Sequence, residues 1–204
     1  MTELERQILV GVLLSLTIAV RLVAHHEAGG MFRTQDDGLE REGGRLVGLL
    51  LRLVFLGGGL GTMVAWAVWP ALVPGNVALP AWAHALGVVL AEAGVVLLVW
   101  VHIALGVHFS GTLHLRGDHQ LVQHGPYASV RHPMYTSFLL LFGGLSLLTG
   151  NLLVAAITLG SQVWTIGWRL SAEEASLAAR FGEAWAHYRA RTGAILPRLA
   201  TPPR

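Results

Sequence analysis

Apolar side chains dominate this chain in long runs, and polar residues collect between the runs and in the last thirty residues. About 20 consecutive apolar residues are enough for a helix to cross a bilayer. The pattern predicts five transmembrane helices, with approximate bounds 4–24, 46–69, 83–107, 134–149 and 151–169. The last two are short and are separated by Thr149-Gly150-Asn151, which has the composition of a tight turn. A helical hairpin is therefore predicted there, in preference to one long kinked helix.

The end of the chain has a different pattern. Ser171-Ala172-Glu173-Glu174 has the form of a capping box, which predicts that a new helix starts at this point. Bulky apolar residues then recur at helical spacing: Leu177, Phe181, Trp185 and Tyr188. The spacing predicts an amphipathic helix over 171–192, lying on the membrane or packed on the loops. The predicted fold is one domain over residues 1–204, an all-α integral membrane protein with five transmembrane helices and a C-terminal amphipathic helix.

Composition supports this class and excludes others. Hydrophobic residues make up 53% of the chain and charged residues 13%, whereas about a quarter of a soluble domain is charged. The absence of cysteine excludes disulfides, thiolate zinc sites and cysteine nucleophiles. Every basic side chain is an arginine and none lies in a basic tract, so the sequence does not indicate nucleic-acid binding.

The placement of the arginines predicts the orientation in the membrane. They cluster after the first, third and fifth predicted helices, whereas residues 70–82 carry no charge. With five helices, all arginine-rich segments fall on one side, which is expected to be cytoplasmic. The protein is thus predicted to lie in a bacterial inner membrane, with its active site and C-terminus cytoplasmic and its N-terminus on the opposite side. Four arginines are expected only to snorkel toward lipid headgroups: Arg21, Arg45, Arg52 and Arg204.

Several other polar residues were weighed as sites. The chain has ten histidines, but His102, His108 and His114 are six apart, which does not suit metal binding on a helix, and no metal site is predicted. Glu92 lies inside the third predicted helix, where an acid is a functional candidate unless it reaches water. The glycine run Gly57–Gly61 lies within a predicted helix, which favours helix packing over nucleotide binding.

The segment HGPYASVRHPMY, from His124 to Tyr135, stands directly before an apolar helix. Gly125-Pro126 predicts a turn, and Pro133 suits the first turn of a helix. These residues place Arg131 and His132 at a helix N-terminus, which favours anionic groups. The motif is therefore predicted to face a carboxylate-bearing ligand.

Two blocks of the sequence resemble the isoprenylcysteine carboxyl methyltransferase family, within the wider group that includes phospholipid methyltransferases. GDHQLVQHGPYASVRHPMY is similar to the family's cofactor stretch, with its G-x-Y-x-x-x-R-H-P-x-Y core. EEASLAARFGEAWAHYRARTGAILP is similar to its C-terminal segment. The blocks agree in order and spacing over residues 106–198, and the helix layout resembles that of compact prokaryotic members along the whole chain.

The resemblance implies S-adenosylmethionine as cofactor, bound without a Rossmann fold. It implies a lipophilic or prenylated substrate that enters from the surrounding lipids. Arg169 matches an arginine associated with the substrate carboxylate. The residues that match cofactor contacts are His119, Gln120, Leu121, Val122, Tyr127, His132, Pro133, Met134, Tyr135 and Glu173. Thr112, Ser171 and Ala172 depart from the eukaryotic pattern.

Four functions follow from these observations. The first is methyl esterification of a lipophilic, isoprenylcysteine-like carboxylate, which needs no general base because a carboxylate is already a nucleophile. The second is N-methylation of a phospholipid amine or S-methylation of a thiol, for which His108 or His124 is a candidate base. A NADPH-dependent sterol-type reductase and a non-catalytic membrane scaffold are the other two. Arg131 is expected either to touch the cofactor or to anchor its loop to lipid headgroups.

Overall fold

A computed structural model of the protein describes residues 1–27, 58–105 and 121–198. Every regular element in these ranges is helical, and the only β pairing within them consists of isolated bridges. The predicted all-α class is therefore confirmed for the described residues. Their α-helices, in chain order, are α1 (Glu3–Glu27), α2 (Gly61–Val68), α3 (Ala81–Leu105), α4 (Pro133–Thr149) and α5 (Leu152–Arg191).

The helices run back and forth between two ends of the protein. At one end, the start of α1 meets the end of α4, where Arg6 donates to the Thr149 carbonyl at 3.3 Å. At the other end, Arg21 of α1 donates to the sulfur of Met134, near the start of α4, at 3.4 Å. We call the end where Arg6 meets Thr149 the Asn151 end, and the end where Arg21 meets Met134 the Glu173 end. The helix α3 also lies antiparallel to α4, because Gly87 packs on Gly144 and Gly94 packs on Leu141.

The turn between α4 and α5 is set by local sequence. Gly150 adopts a left-handed conformation with φ 60°, which glycine accepts without steric cost. The side chain of Asn151 accepts from the backbone N–H of Val154 at 2.9 Å and so caps α5. Its amide nitrogen donates to the Val73 carbonyl at 3.0 Å and to Asn76 Oδ1 at 2.8 Å. The predicted hairpin is confirmed.

Small residues allow α3 and α4 to pack closely. A Cβ atom added at Gly87 would lie 2.7 Å from the carbonyl oxygen of Gly144, and one added at Gly94 would lie 2.5 Å from the backbone nitrogen of Leu141. Helices in lipid associate through such close packing, since burial of apolar surface drives association less there than in water.

The glycine run Gly57–Gly61 does contribute to helix packing, but through its middle residues and not through Gly61. Gly57 lies outside the described residues, and a Cβ at Gly61 would meet nothing within 4 Å. Gly58 and Gly59 instead lie against α5, because a Cβ at Gly58 would lie 3.5 Å from Cγ2 of Ile157 and one at Gly59 would lie 3.3 Å from the Ser161 hydroxyl. The first part of the predicted helix 46–69 also lies outside the described residues.

The predicted start of a separate tail helix at Ser171 is wrong. The helix α5 runs through this position, and no glycine or proline lies between residues 168 and 181 to interrupt it. An ion pair between Arg169 and Glu173, at 3.4 Å, joins the two sides of the predicted boundary. The interruption comes later, at Gly182, whose φ of 51° and ψ of −121° are not helical.

Two helices of the described chain are long and apolar enough to cross a membrane, Glu3–Ala24 and Ala81–Leu105. Only 28% of the most apolar window of each is buried inside the protein, so both present most of their apolar surface outward. Shorter apolar helices cover Gly58–Val68 and Pro133–Thr149. These helices support an integral membrane protein, and five complete crossings remain a prediction. Glu92 is exposed on α3, and its predicted functional role stays a prediction.

Candidate functional site

The site is built around the start of α4. His132 is the N-cap residue and Pro133 the first helical residue, as the sequence predicted. A 3-10 turn, Gly125–Ala128, precedes them, and the φ of Gly125 is 60°. A Cβ at Gly125 would lie 3.2 Å from the indole nitrogen of Trp100 on α3. The predicted Gly-Pro turn is thus confirmed and is packed directly on α3.

A segment after α5 holds the motif in place from the other side. We call residues 192–197 the C-terminal strap. The backbone N–H of Arg131 donates to the Gly193 carbonyl at 2.8 Å, and that of His132 donates to the Ala194 carbonyl at 2.9 Å. The Thr136 hydroxyl adds a bond of 2.6 Å to a third strap carbonyl, that of Ile195. Strap and motif therefore form a single hydrogen-bonded unit.

Four predicted site residues come together on α4 and α5. The Tyr135 hydroxyl donates to Oε1 of Glu173 at 2.8 Å. Nδ1 of His132 lies 3.5 Å from the other oxygen of Glu173, and Nε of Arg169 lies 3.4 Å from Oε1. We call Arg169, Glu173, His132 and Tyr135 the Glu173 cluster. It joins three residues predicted to contact the cofactor with the arginine predicted to bind the substrate.

The surroundings of Glu173 keep its carboxylate charged. Burial on its own would raise the pKa of Glu173, but hydrogen bonds from His132 and Tyr135 and the positive charge of Arg169 outweigh it and hold the pKa below its ordinary value. Burial raises the pKa of Tyr127, and the neighbouring Tyr188 and Glu173 raise it further. Tyr127 therefore lies within electrostatic reach of the cluster and keeps its proton.

Arg131 faces into the protein. Its guanidinium donates to Oε1 of Glu174 at 2.7 Å from Nη2 and 3.0 Å from Nε, and also to the Thr192 carbonyl of the strap. Its Cζ lies 5.8 Å from the Trp185 ring centre, and its side chain is only 8% exposed. Arg131 thus ties the motif to Glu174 and to the strap, so the expectation that it anchors the loop to lipid headgroups is wrong, and contact with the cofactor stays a prediction.

Glu174 is a residue of the site to which the family resemblance assigned no role. Its Oε1 forms an ion pair with Arg131, and Nε2 of His132 lies 3.5 Å from the same oxygen. The sequence presented Glu174 only as a letter of a capping box. The other ring nitrogen of His132, Nδ1, faces Glu173. Two carboxylates beside the N-terminus of α4 are therefore side chains of this protein.

The apolar stripe of the tail packs on the motif. Trp185 and Tyr188 are 3% and 2% exposed. The Tyr188 hydroxyl donates to the carbonyl of Tyr127 at 2.7 Å. Of the two predicted settings for this stripe, packing on the loops is therefore the observed one for these two side chains. Tyr188 holds the 3-10 turn through the Tyr127 carbonyl, and Trp185 packs on Arg131.

The other predicted residues are less closely joined to the cluster. Met134 contacts Arg21 from α1. Leu121 and Val122 lie half-buried in non-helical chain just before the turn, and their role as cofactor contacts stays a prediction. His119 and Gln120 lie outside the described residues, as do Thr112 and the candidate base His108. His124, the other candidate base, is exposed.

Comparison with known proteins agrees with this arrangement. A family model described as phospholipid methyltransferase matches residues 82–184, which run from α3 through the Glu173 cluster into the tail. The chain belongs to the phospholipid methyltransferase family. The resemblance to isoprenylcysteine carboxyl methyltransferases is confirmed as well, because 81 residues are 36% identical to the protein-S-isoprenylcysteine O-methyltransferase of Schizosaccharomyces pombe. That stretch covers 39% of this chain and 34% of the relative.

A solved structure shares the fold of this family member. It is that of a eukaryotic intramembrane Ras methyltransferase, an isoprenylcysteine carboxyl methyltransferase, with a TM-score of 0.57 and 22% sequence identity. The match covers 91% of this chain and 66% of the other. The chain thus spans about a third of the curated relative and about two thirds of the solved one, with nearly all of its own length used in the structural match.

Proposed function

We propose that this protein is a membrane methyltransferase that transfers a methyl group from S-adenosylmethionine to the carboxylate of a lipophilic, isoprenylcysteine-like substrate. The observation that carries the proposal is the Glu173 cluster, which joins the predicted cofactor residues to Arg169 at one end of the apolar helices. Family membership supports methyl transfer as the reaction class.

The residues of the cluster suit the proposed cofactor. S-adenosylmethionine carries a positively charged ammonium group and, when bound, supplies an electrophilic methyl group on a positively charged sulfur. Glu173 is ionised and its side chain is only 22% exposed, so its charge is suited to attract a cation. Tyr127, His132, Met134 and Tyr135 would complete the binding surface.

The proposed reaction requires no general acid or general base from the protein. A carboxylate oxygen attacks the methyl carbon in line, an O–C bond forms as the S–C bond breaks, and no proton is transferred. The chain has to position the carboxylate and exclude water. Arg169 is suited to this task, since a guanidinium pairs with a carboxylate through two parallel hydrogen bonds. A lipophilic substrate would reach Arg169 from the surrounding lipids.

N-methylation of a phospholipid amine is the second candidate, because the matched family model is described as phospholipid methyltransferase. An amine must lose a proton to become a product, which calls for a base. The candidate base His124 is exposed and precedes the 3-10 turn. The Glu173 cluster has Arg169 at the proposed substrate position, and this positive charge favours an anionic over a cationic substrate head.

The proposed orientation places the Glu173 end in the cytoplasm of a bacterial cell. Arg131, Arg169 and the described arginines of the tail lie at this end, and a surplus of arginine marks cytoplasmic segments. In this orientation the active site and C-terminus face the cytoplasm, where S-adenosylmethionine is made, and the N-terminus lies on the opposite side.

A labelling experiment tests the reaction. Membranes that contain the protein are incubated with S-adenosylmethionine labelled in its methyl group and with N-acetyl-S-farnesylcysteine. We expect label in the lipid extract that mild base releases as methanol, since esters are hydrolysed and methylamines are not. Base-stable label would favour N- or S-methylation, and the absence of transferred label would refute a methyltransferase.

A matched pair of variants ties the reaction to the site. Glu173→Gln removes the charge at the centre of the cluster and should abolish transfer of label. Glu183→Gln makes the same chemical change at an exposed position of the tail and should leave transfer intact. Equal activity of the two variants would contradict the assignment of the site.

A further inference from the structure

The helix α5 is interrupted at Gly182, nine residues before its end. The φ of 51° and ψ of −121° turn the chain at this position, and a Cβ there would meet nothing within 4 Å. The backbone therefore has space around it at the break. Hinges consist of a few residues that absorb large changes in φ and ψ, and glycine has the widest choice of both angles. Gly182 thus has the conformation and the surroundings of a hinge.

The chain beyond this break is attached to one region of the protein. We call residues 183–197, which comprise the last turns of α5 and the C-terminal strap, the lid. Within the described chain, every hydrogen bond and ion pair that leaves the lid ends on residues 123–136 or on Glu174. No such bond joins the lid to the described parts of α1, α2 or α3. The lid can therefore turn away at Gly182 without breaking hydrogen bonds to those helices.

The lid is bonded to two of the residues that match cofactor contacts. The Tyr188 hydroxyl donates to the Tyr127 carbonyl at 2.7 Å, and the Ala194 carbonyl accepts from the backbone N–H of His132 at 2.9 Å. With the lid in this position, the side chain of His132 is only 8% exposed. A small-molecule site buries most of the surface of its ligand. A ligand that contacts the His132 ring therefore has to enter while the lid is displaced.

We propose that the lid turns at Gly182 to admit S-adenosylmethionine and then closes over it beside the Glu173 cluster. This inference rests on the proposed function and deepens it, because it gives the cofactor site a moving part. The bonds between strap and motif are suited to opening, since their backbone groups can exchange each other for water at little net cost. Closure would exclude water from the substrate carboxylate, as the proposed reaction requires.

Cross-linking tests the lid, because the chain has no cysteine of its own. Gln123, directly before the motif, and Arg191 of the lid hydrogen-bond through exposed side chains. A variant with both Gln123→Cys and Arg191→Cys is joined by a short bis-maleimide, and binding of S-adenosylhomocysteine is followed by rapid mixing in detergent. The cross-link should lower the association and the dissociation rate constants about tenfold or more, since entry and exit both need the lid to open. Each single-cysteine variant, treated with the same reagent, should match the wild type.

Hydrogen exchange of the unmodified protein provides a second measurement. The backbone amides of Arg131 and His132 donate to the strap, so they exchange with solvent when the lid opens. A ligand that binds only under the closed lid, at ten times its Kd, should slow this exchange about tenfold. S-adenosylhomocysteine is the probe. The amide of Val154, which donates to Asn151 at the opposite end, should show no change.

Two results would overturn the lid. One is a pair of rate constants that the cross-link leaves unchanged, and the other is exchange at Arg131 and His132 that S-adenosylhomocysteine does not slow. Failure of the proposed function gives different results. If the cross-link slows binding and yet no methyl group is transferred to any acceptor, the lid stands and the proposed reaction falls. A wild type that binds no S-adenosylhomocysteine would refute both.

Discussion

The hydroxyl of Tyr135 donates to Oε1 of Glu173 at 2.8 Å, across 38 residues of sequence. This bond connects the first turn of α4 with the part of α5 that continues beyond its apolar half. It brings the two motif blocks of the sequence into direct contact, and its acceptor is also the oxygen that faces Arg169. The position of Glu173 therefore depends on partners from both helices of the hairpin.

Removal of this bond should weaken cofactor binding. Tyr135→Phe keeps the ring but deletes the donor, and a hydrogen bond to a charged group contributes about 1.5–3 kcal/mol. We expect the affinity for S-adenosylhomocysteine to fall about tenfold or more, measured by calorimetry in detergent. Ser161→Ala deletes a hydroxyl of α5 that bonds to the Thr158 carbonyl, away from the cluster, and should leave the affinity unchanged. Unchanged affinity in Tyr135→Phe would remove Glu173 from the cofactor site.

The ion pair of Arg131 and Glu174 should make stability depend on acid pH. Burial would raise the pKa of Glu174, but the hydrogen bond and charge of Arg131, with the charges of His132 and Arg189, hold it below its ordinary value. A carboxyl group whose pKa is lower in the folded state stabilises the fold above its unfolded pKa, near 4.3. That stabilisation is lost as the pH falls from there through the folded pKa.

The Glu174→Gln variant isolates this contribution. At pH 7 its midpoint of thermal unfolding should lie below that of the wild type, because Arg131 would be left buried beside a neutral amide. The difference between the two proteins should narrow as the pH falls from about 5 to 3. Glu183→Gln, at an exposed position, serves as the control and should follow the wild type at every pH. A constant difference across this range would contradict the pairing.

The interruption of α5 at Gly182 should tolerate no other residue easily. A Cβ there would meet nothing within 4 Å, so the cost of Gly182→Ala comes from the backbone, whose φ is 51° and ψ −121°. Such a conformation costs about 1–3 kcal/mol in a residue with a side chain. Thermal unfolding should report this loss. Gly167→Ala adds a Cβ to open space in helical backbone and should be neutral or stabilising.

The close contact of α3 with α4 should be equally sensitive, but for a steric reason. Gly94→Ala would place its Cβ 2.5 Å from the Leu141 nitrogen, so one helix must move. Overpacking of this kind typically costs about 1–3 kcal/mol, visible as a lower unfolding midpoint. Gly143→Ala, on α4, meets nothing within 4 Å and provides the matched control. Similar midpoints for the two variants would show that the helices are not packed this closely.

The parts of the fold that could be predicted depend on local interactions. Gly150 supplies the left-handed turn and Asn151 caps the next helix with its own side chain, so the hairpin is encoded within a few residues. Pro133 likewise begins α4 because its missing N–H is not needed in a first turn. The boundary at Ser171 failed because a capping-box pattern also occurs within a continuous helix when no residue interrupts it.

The sequence by itself determined the helical class, the hairpin, the two motif blocks and the family, since each is expressed in short-range patterns. Only the tertiary structure decided that Arg131 meets Glu174, 43 residues away, and that Arg21 meets Met134, 113 residues away. The physical reason is that a helix with apolar residues on every face gives no pattern in the sequence from which the inward-facing side could be read. Its rotation, and with it the direction of a lone arginine, is set by the packing of neighbouring helices.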